Sequence, residues 1–375
     1  MRKKLILVNS CNGLYGGIES FLLNIFYSLD LDEYDVTFLT CGKSTYDMFK
    51  EDIIEKGGHV EEIPIYASSV KKQFQLYYQL RKYCKQKKPD IIHINSGGLS
   101  FHYLASCAAK KENVKSIILH SHNYIPQEFK YREKMKSIIK SKLVCNGTRF
   151  LACSKGAAKW IFPLSAIKKN DVEIIPNGID TRKFSYDFEK RRKFRSELGL
   201  TDEFVIGNIG RFQPQKNHSF IIRIMKEIVK KKPDTKLLLA GDGELINEVK
   251  KSVLIANLEK NIIFLGERKD MDSFLSAIDV FILPSLHEGF PISAIEAQAS
   301  GVRVVLSDTI TTEINITGEV IFLPISDYEA EKKWANTICS ETIQIDRKNQ
   351  SNIVKKAGYD VTSYCNRMKQ IYSGE

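Results

Sequence analysis

The feature that most constrains the fold of this chain is a repeated alternation of short apolar runs with longer amphipathic runs. The apolar runs predict buried strands, and the amphipathic runs predict helices. Alternation of this kind is typical of a parallel sheet covered by helices on both faces, so the sequence predicts two doubly wound α/β domains, one in each half. In the first half the predicted strands are 4–10, 34–40, 59–65, 91–96, 116–121, 149–153 and 172–175. In the second half they are 204–209, 236–240, 261–265, 280–283, 302–306 and 320–323.

The domain boundary follows from length and from turn signals. A chain of 375 residues exceeds one ordinary domain. The turn-forming segment 176–180 follows the last predicted strand of the first half, so we expect one domain at 1–180 and another at 181–360. Doubly wound sheets bind ligands at the carboxyl ends of their strands. Two such domains facing each other across a cleft would each contribute one wall of a site.

Composition and local motifs argue against several classes of protein. No apolar run approaches the ~20 residues of a membrane-spanning helix, and the run 5–8 is too short for a signal peptide. The eight cysteines are scattered without a C-x-x-C pair, which favours reduced cytoplasmic thiols over disulfides or a zinc site. There is no G-x-S-x-G elbow, no Walker A motif and no nucleic-acid-binding motif. We therefore expect a cytoplasmic protein that binds no nucleic acid.

Positive charge is concentrated in the stretch 110–169. This stretch holds 14 Lys and Arg against 3 Asp and Glu, in a chain with a net charge of +11. A solvated helix face is one interpretation. The other is attraction to an anionic partner, which predicts peripheral contact with an anionic membrane, at its inner face, or with a lipid-linked phosphate.

The segment 288–297 carries the strongest chemical signal. It follows the apolar run 280–283, which gives the order strand, loop, helix. Pro291 is predicted at the first helical position, where no N–H is needed. The unpaired N–H groups and the positive end of the helix dipole make this loop suitable for a phosphate. Glu288 on the loop and Glu296 in the helix can then hold a reacting group and a neighbouring pair of hydroxyls.

The two glutamates and the glycine turn resemble the E-x7-E motif of family 4 glycosyltransferases, which are retaining enzymes of the GT-B fold. At that spacing alone, a surface acid beside the start of an amphipathic helix would be an equally good interpretation. The resemblance implies that the first domain binds the acceptor, the second binds the donor, and the C-terminal stretch 361–375 packs back on the first. It also implies donor contacts from the phosphate-binding loop, at Gly289, Phe290, Pro291 and Ile292.

A second motif, Gly210 to Asn217, follows the first predicted strand of the second half. Arg211 offers a fork of donors and Lys216 a mobile point charge, so the two can hold a diphosphate from two sides. Read alone, they would be surface charges. The motif resembles the family pattern G-R-x(4)-K-G, except that Asn217 replaces the final glycine, which puts the local backbone path in question.

Two strand ends of the first half carry further candidates. Gly16 and Gly17 precede a helix, where glycine lets backbone N–H groups approach a ligand. Their spacing is not that of G-x-G-x-x-G, and an ordinary tight turn is the alternative. His120 and His122 end a strand and, two residues apart, point to the same side. The resemblance implies that His120, or failing that His122, contacts the donor sugar or its β-phosphate.

In the second half, Gly243 and Arg268 follow predicted strands, and the resemblance places the nucleotide base and ribose beside them. Strand-end glycines also occur for purely geometric reasons. The acid pairs at 30–32 and 270–272 look like D-x-D, but neither sits at a buried strand end. Because cationic side chains and a helix N-terminus are available for the phosphates, we predict no metal and no other cofactor.

Together these features predict a retaining, metal-independent glycosyltransferase of bacterial capsule or exopolysaccharide synthesis. The predicted donor is a nucleotide-sugar, with UDP as the commonest nucleotide, and the predicted acceptor is a glycan or a lipid-linked glycan. The predicted catalytic residues are Glu288, His120, Arg211 and Lys216, and Glu296 is predicted to bind the ribose. Two alternatives stay open: another GT-B enzyme, such as a nucleotide-sugar epimerase, and a non-catalytic glycosyltransferase-like subunit.

Overall fold

The computed structural model describes residues 2–12, 17–44, 46–96, 98–122, 133–340 and 346–375. These residues form two compact units. The first comprises the chain up to Asn177 together with Thr362–Glu375, and the second comprises Gly178–Val361. Within the described ranges, no helix combines the length and the apolar character that crossing a membrane requires.

The first unit is built on a seven-stranded parallel sheet. Its strands are β1 (Lys3–Asn12), β2 (Tyr34–Lys43), β3 (His59–Ile63), β4 (Ile91–Ser96), β5 (Ser116–Ser121), β6 (Arg149–Ala152) and β7 (Val172–Ile174). Their order in the sheet is β3-β2-β1-β4-β5-β6-β7. The chain thus starts in the middle of the sheet, moves to one edge, and then returns to build the other, which is the doubly wound arrangement.

Helices connect these strands. They are α1 (Gly17–Ser28), α2 (Lys50–Glu55), α3 (Val70–Lys87), α4 (Leu99–Lys111), α5 (Glu133–Val144), α6 (Lys155–Ile161) and α7 (Leu164–Lys168), with a 3₁₀ turn at Asp47–Phe49. Helix α7 was not predicted, because it is too short to show a helical period in the sequence.

The second unit repeats the plan with six parallel strands. They are β8 (Val205–Ile209), β9 (Lys236–Ala240), β10 (Ile262–Gly266), β11 (Val280–Leu283), β12 (Arg303–Ser307) and β13 (Ile321–Leu323). Their order is β10-β9-β8-β11-β12-β13. The helices are α8 (Phe188–Glu197), α9 (His218–Val229), α10 (Ile246–Ile255), α11 (Met271–Ala277), α12 (Ile292–Ala299), α13 (Ala330–Cys339) and α14 (Arg347–Lys356), with 3₁₀ turns at Pro214–Lys216 and Thr312–Ile314.

Apolar side chains of the second sheet alternate between two buried layers. In β9, Leu237 and Leu239 pack in the layer that contains Trp334 of α13, whereas Leu238 packs in the layer that contains Phe274 of α11. A parallel sheet whose strands are apolar on both faces is stable only when helices cover both. The predicted pair of doubly wound α/β domains is therefore confirmed.

The last helix, α15 (Val361–Ser373), packs on the first unit. Arg367 donates to both carboxylate oxygens of Glu173, at 2.6 and 3.1 Å. The hydroxyl of Tyr372 lies 2.6 Å from Nδ1 of His93, a residue of the central strand β4 that is 279 positions away in the sequence. The end of the chain is thereby connected to the buried centre of the first sheet.

Strand β4 is buried along its whole length and yet carries polar side chains. His93 and Asn95 are both fully buried. Because a buried polar group is unfavourable unless it is hydrogen-bonded, such positions indicate either an internal network or a ligand site.

Candidate active site

The loop between β11 and α12 positions the two predicted glutamates. Strand β11 ends at Leu283, and α12 begins at Ile292. Pro291 takes the N-cap position with φ −71° and ψ 111°, so the prediction that it is the first helical residue was wrong by one position. Its extended ψ keeps it outside the helix, and its missing N–H is harmless at either position.

Backbone N–H groups of this loop are open to a ligand. Among the described residues, nothing accepts a hydrogen bond from the amides of Gly289, Phe290, Ile292 and Ser293. The first amides of a helix have no acceptor within it, and the helix dipole adds partial positive charge there. The Phe290 ring is buried and stacks on Tyr359 with 5.7 Å between centroids. Only the backbone of Phe290 is therefore left to bind a ligand.

Glu288 and Lys216 form a buried ion pair. Lys216 Nζ lies 2.7 Å from Glu288 Oε1, and the two side chains are 14% and 9% exposed. Gln215 donates its Nε2 to Glu288 Oε2 at 3.3 Å and to the His287 carbonyl at 2.8 Å, while the Leu286 amide donates to the Gln215 carbonyl. A buried ion pair depends on such supporting bonds. The loops that follow β8 and β11 are thus fixed to each other.

The stem of Lys216 passes over the glycine that follows β8. A Cβ on Gly210 would lie 3.1–3.2 Å from three carbons of the Lys216 stem. Glycine at 210 therefore lets the lysine lie flat against the backbone. Arg211, the other half of the predicted diphosphate pair, comes directly after this glycine and is partly buried.

Asn217 stands where the family pattern has glycine. The backbone conformation at this position explains why either glycine or asparagine can occupy it. It adopts the left-handed conformation, with φ 56° and ψ 43°, at the start of α9. Glycine and asparagine are the residues that enter this region most readily. The Asn217 side chain also donates to the Pro284 carbonyl at 3.1 Å. The departure from the pattern thus keeps the backbone path and adds a bond between the two loops.

Gly243 lies where two strand-end loops meet. Its φ is +156°, and a Cβ there would lie 2.7 Å from the backbone N and O of Phe212. The Phe212 amide in turn donates to the Asp242 carbonyl at 2.9 Å. Close backbone packing therefore explains why this residue is glycine, and the nucleotide contact expected of it stays a prediction.

Glu296 lies in the interior of α12 in a charged neighbourhood of the second unit. Burial raises the pKa of its carboxyl to about 7, the nearby Lys183 opposes this rise, and the carboxylate of Asp272 adds to it. No described residue donates a hydrogen bond to the Glu296 carboxylate. A partly buried carboxylate in this state has its acceptor capacity available for a ligand.

Arg268, the predicted nucleotide contact after β10, is bound within the second unit. Its guanidinium donates to both oxygens of Asp270 at 2.8 and 2.6 Å, and it lies 4.7 Å from the centroid of the Phe194 ring. This pairing lowers the pKa of Asp270, to which the charge of Lys183 also contributes. Lys183 therefore acts electrostatically on both the Arg268–Asp270 pair and Glu296.

In the first unit, Gly16 lies outside the described residues and Gly17 is the first residue of α1. Close by in the chain, Asn9 of β1 donates its Nδ2 to Glu19 Oε1 at 2.9 Å, and both side chains are buried. Across the described ranges, Asn9 Oδ1 has no hydrogen-bond partner. Strand β1 thus carries, near its carboxyl end, a buried amide whose acceptor oxygen is filled by no described residue.

His120 and His122 come together at the end of β5, on the same side of the strand as predicted. Their rings stack with 4.1 Å between centroids, while Ser121 between them donates to the Ala157 carbonyl. The ring of Phe21 contacts both imidazoles edge-on, at 5.0 and 5.1 Å. The pair is therefore held rigidly by its neighbours.

The hydrogen bonds of His122 fix which of its nitrogens carries the proton. Asn95 donates its Nδ2 to the His93 carbonyl at 3.0 Å, which turns its Oδ1 toward His122. That oxygen accepts from His122 Nε2 at 2.9 Å. His122 Nδ1 is then a bare acceptor that no described residue reaches with hydrogen-bond geometry, although the Asn177 side chain lies close enough to oppose the lowering of the His122 pKa.

The histidines of this cluster are held neutral. Burial, and then the other histidines, lowers the pKa of His120 well below 6.5, and burial lowers the pKa of His122 to about 3. Burial likewise lowers the pKa of His93 and His102. Neutral imidazoles carry no charge for a phosphate, so the cluster fits a hydroxyl group better than a β-phosphate.

Three features of these sites were not predicted from the sequence. His93 and Asn95 were recognised only as part of the apolar run 91–96, although a histidine in a buried strand is itself a signal. Lys183 lies in a turn just after the domain boundary, and no sequence pattern relates it to Glu296.

Two family models match the chain in succession. The model described as Glycosyltransferase Family 4 matches residues 15–183, and the model described as Glycosyl transferases group 1 matches residues 190–332. The two matches correspond closely to the two structural units.

Two relatives match nearly the whole chain. The protein named glycosyltransferase EpsF of Bacillus subtilis (strain 168) is 27% identical over 364 residues, which cover 96% of this chain and 93% of the relative. A UDP-Gal:alpha-D-GlcNAc-diphosphoundecaprenol alpha-1,3-galactosyltransferase of Escherichia coli is 26% identical over 374 residues, with 96% and 94% covered.

Solved structures share the fold over the full length. HepE of Anabaena in complex with UDP superposes with a TM-score of 0.74 at 18% identity, and the match covers 100% of both chains. The lipopolysaccharide outer core galactosyltransferase WaaB gives a TM-score of 0.67 at 15% identity and covers 99% of this chain and 100% of that one. At these identities the likeness concerns the fold alone.

Proposed function

We propose that this chain, which belongs to the family 4 glycosyltransferases of the GT-B fold, transfers a sugar from a nucleotide-sugar to a glycan or lipid-linked acceptor with retention of configuration. The observation that carries the proposal is the loop before α12. There, unpaired amides of a helix N-terminus adjoin the buried Lys216–Glu288 pair.

The donor diphosphate binds to this loop in the second unit. The amides of Gly289 and Ile292 offer uncharged donors, while Arg211 and Lys216 contribute positive charge. Glu288 neutralises part of the Lys216 charge and holds its Nζ in place. Fixed donors of this kind stabilise the negative charge that develops on the leaving phosphate.

The two glutamates bind different parts of the donor. Glu288 Oε2 has only a long, 3.3 Å bond from Gln215, so it can accept a hydrogen bond from a sugar hydroxyl near the anomeric carbon. Glu296, whose carboxylate has no described donor, accepts from the two ribose hydroxyls. This division follows from their positions, one on the loop and the other inside the helix.

The histidine pair of the first unit binds a sugar hydroxyl. A hydroxyl donates one hydrogen bond and accepts others, and His122 Nδ1 offers the acceptor that such a group needs. Because both imidazoles are neutral, this contact recognises a sugar hydroxyl without attracting the phosphates of the donor.

In the transfer step, the acceptor hydroxyl attacks the anomeric carbon from the side of the leaving group. The new C–O bond forms as the bond to the β-phosphate breaks, and the proton passes to an oxygen of the leaving phosphate. No separate general base is then needed. The cationic side chains and amides named above balance the phosphate charge, so the proposed reaction uses no metal.

Bacterial surface polysaccharide synthesis is the setting we propose. The relative in Escherichia coli is named for a UDP-sugar donor and a diphosphoundecaprenol acceptor, and the Anabaena neighbour was crystallised with UDP. We infer by analogy that the donor here is a UDP-sugar and that the acceptor carries a lipid-linked diphosphate.

A lipid-linked acceptor implies peripheral contact with an anionic membrane, and helix α3 offers the best surface for it. Val70, Phe74 and Tyr78 lie at i, i+4 and i+8 and are 69%, 63% and 63% exposed. The helix contains no acidic residue, and the exposed Lys71 and Lys82 flank the apolar stripe. An exposed apolar stripe edged with lysines is suited to the interface of an anionic bilayer.

The basic stretch 110–169 is the alternative membrane surface. In it, Lys136 lies over the Trp160 ring and Lys140 donates to the Lys159 carbonyl, so both lysines are engaged within the unit. These contacts leave them less available to lipid headgroups than the exposed lysines of α3.

We expect the protein to bind phosphatidylglycerol-containing vesicles in a salt-sensitive manner. Replacing Phe74 and Tyr78 by serine should weaken sedimentation with vesicles at least tenfold, since two aromatic anchors are lost. The matched control replaces Leu254 and Ile255 of α10, which are 57% and 81% exposed, and should bind normally. Normal binding by the α3 variant would refute this surface, and loss of binding in a variant with Lys136 and Lys140 neutralised would favour the basic stretch.

Product analysis with and without acceptor tests the proposed function. We expect a new glycosidic bond only when an undecaprenyl-diphosphate-sugar acceptor is present, with the anomeric configuration of the donor kept. A modified free sugar formed without acceptor would instead indicate an epimerase. Nucleotide binding without any product would indicate a non-catalytic subunit.

A further inference from the structure

A buried chain of hydrogen bonds joins the C-terminal helix to His120. The Tyr372 hydroxyl lies 2.6 Å from His93 Nδ1, and His93 Nε2 lies 3.3 Å from His120 Nδ1. All three side chains are at most 2% exposed. Beyond this chain, His120 Nε2 is buried and has no hydrogen-bond partner among the described residues.

We propose that Tyr372 is a positioning residue that, through His93, fixes His120 in the tautomer with its proton on Nε2. Both this tautomer and its catalytic consequence rest on the proposed contact between the histidine pair and a sugar.

The tyrosine hydroxyl determines which atom donates in each of these hydrogen bonds. A neutral hydroxyl has one proton to donate, and a buried hydroxyl without an acceptor is unfavourable. The only acceptor that the described residues offer to Tyr372 is His93 Nδ1. If His93 instead donated to the tyrosine oxygen, the tyrosine proton would have no partner, whereas the opposite direction leaves the unpaired proton on His120 Nε2, where the proposed sugar hydroxyl can accept it. Tyr372 therefore donates.

The remaining proton positions follow in turn. Because Nδ1 of His93 accepts, a neutral His93 carries its proton on Nε2 and donates it to His120 Nδ1. His120 Nδ1 is then an acceptor, so a neutral His120 carries its own proton on Nε2. Burial of both rings in an apolar setting keeps them neutral.

The result is a stacked pair of imidazoles in which one ring offers a hydrogen-bond donor and the other an acceptor. His120 presents an N–H, whereas His122, held by Asn95, presents a bare Nδ1. A sugar hydroxyl, which both donates and accepts, complements such a pair. The C-terminal helix thus determines the polarity of a group that lies 252 positions earlier than Tyr372 in the sequence.

The experiment uses full-length protein with ¹⁵N-labelled imidazoles and compares Tyr372→Phe with Tyr34→Phe. Tyr34 is a buried neighbour whose ring lies 6.3 Å from that of Tyr372, and no described hydrogen bond joins it to the histidines. The signals of His120 are assigned with His120→Gln. Both phenylalanine variants retain the aromatic ring and lose one hydroxyl, and near-ultraviolet circular dichroism checks that each is folded.

We expect wild type and Tyr34→Phe to show His120 protonated on Nε2 alone. In Tyr372→Phe the hydrogen bonds from His93 to His120 no longer have a fixed direction, so both tautomers of His120 should appear. The value of kcat/KM should fall about two- to tenfold, which corresponds to the loss of one neutral hydrogen bond. A wild-type proton on Nδ1, or an unchanged tautomer in Tyr372→Phe, would overturn the proposal. A changed tautomer with unchanged kcat/KM would keep the positioning role and refute the proposed sugar contact of His120.

Discussion

Replacing Lys216 by methionine is expected to lower kcat/KM by about a thousandfold and to destabilise the second unit by about 3 kcal/mol. The catalytic loss follows from removing a fixed cation beside the leaving phosphate. The stability loss arises because Glu288, 9% exposed, would lose the partner 2.7 Å away and remain as an uncompensated buried charge. Chemical denaturation and initial-rate assays measure the two effects separately.

The double variant Lys216→Met/Glu288→Gln separates structure from function. Removing the charge of Glu288 as well should restore stability to within about 1 kcal/mol of wild type, because no buried charge is left unpaired. Activity should stay at the level of the single variant. Lys226→Met on α9, at an exposed lysine, is the control and should change neither quantity. Recovery of activity in the double variant would show that Lys216 serves only to neutralise Glu288.

Replacing Glu296 by glutamine is expected to stabilise the ligand-free protein while weakening donor binding. Burial raises the pKa of Glu296 from an ordinary value of 4.5 to about 7. Above pH 7 the folded protein therefore contains a desolvated carboxylate, which glutamine replaces with a neutral group. At pH 8.5, above both pKa values, the variant should be more stable by about 3 kcal/mol, since each pKa unit of the shift corresponds to about 1.4 kcal/mol.

The stability difference between Glu296→Gln and wild type should depend on pH. A carboxyl whose pKa is higher in the folded state than in the unfolded state favours folding when it is protonated. The contribution of Glu296 to the free energy of unfolding is therefore complete below pH 4.5 and is lost as the pH rises to about 7. Near pH 4.5 the variant and wild type should have similar stability, and the difference should grow between these limits. Glu259→Gln, at an exposed acid of the same unit, should show no such trend.

The effect of Glu296→Gln on the donor should have the opposite sign. An ionised carboxylate forms charge-assisted hydrogen bonds with hydroxyls, and losing them should weaken donor binding about 10- to 100-fold. Isothermal titration with the donor measures this change. Unchanged affinity together with increased stability would assign Glu296 a place outside the donor site.

The fold could be predicted from sequence because its signal is repeated and local. Every predicted strand appears in one of the two parallel sheets, and the family resemblance drawn from Glu288, Glu296 and Arg211 is confirmed by the two family models. The position of Pro291 was wrong by one residue, because helix ends depend on a single ψ angle that composition does not specify.

The site could be predicted only in part. Motif spacing indicated Lys216 and Glu288 separately, but their ion pair depends on how two strand ends meet in the sheet, and β8 and β11 are adjacent only in the folded unit. The bond between His93 and Tyr372 joins residues 279 positions apart, and the C-terminal helix shows no pattern that marks its tyrosine. Contacts of this range follow from tertiary packing, which a linear pattern does not contain.

Nucleotide release from a panel of UDP-, GDP- and ADP-sugars, measured for wild type and Arg211→Ala, tests the central claim most directly. We expect slow release from one donor, most plainly a UDP-sugar, and at least a hundredfold loss in Arg211→Ala, because the variant lacks one of the two cations proposed to hold the diphosphate. Equal release by both proteins would contradict the assigned phosphate site. Absence of both binding and release across the panel would contradict the proposal that this chain uses a nucleotide-sugar.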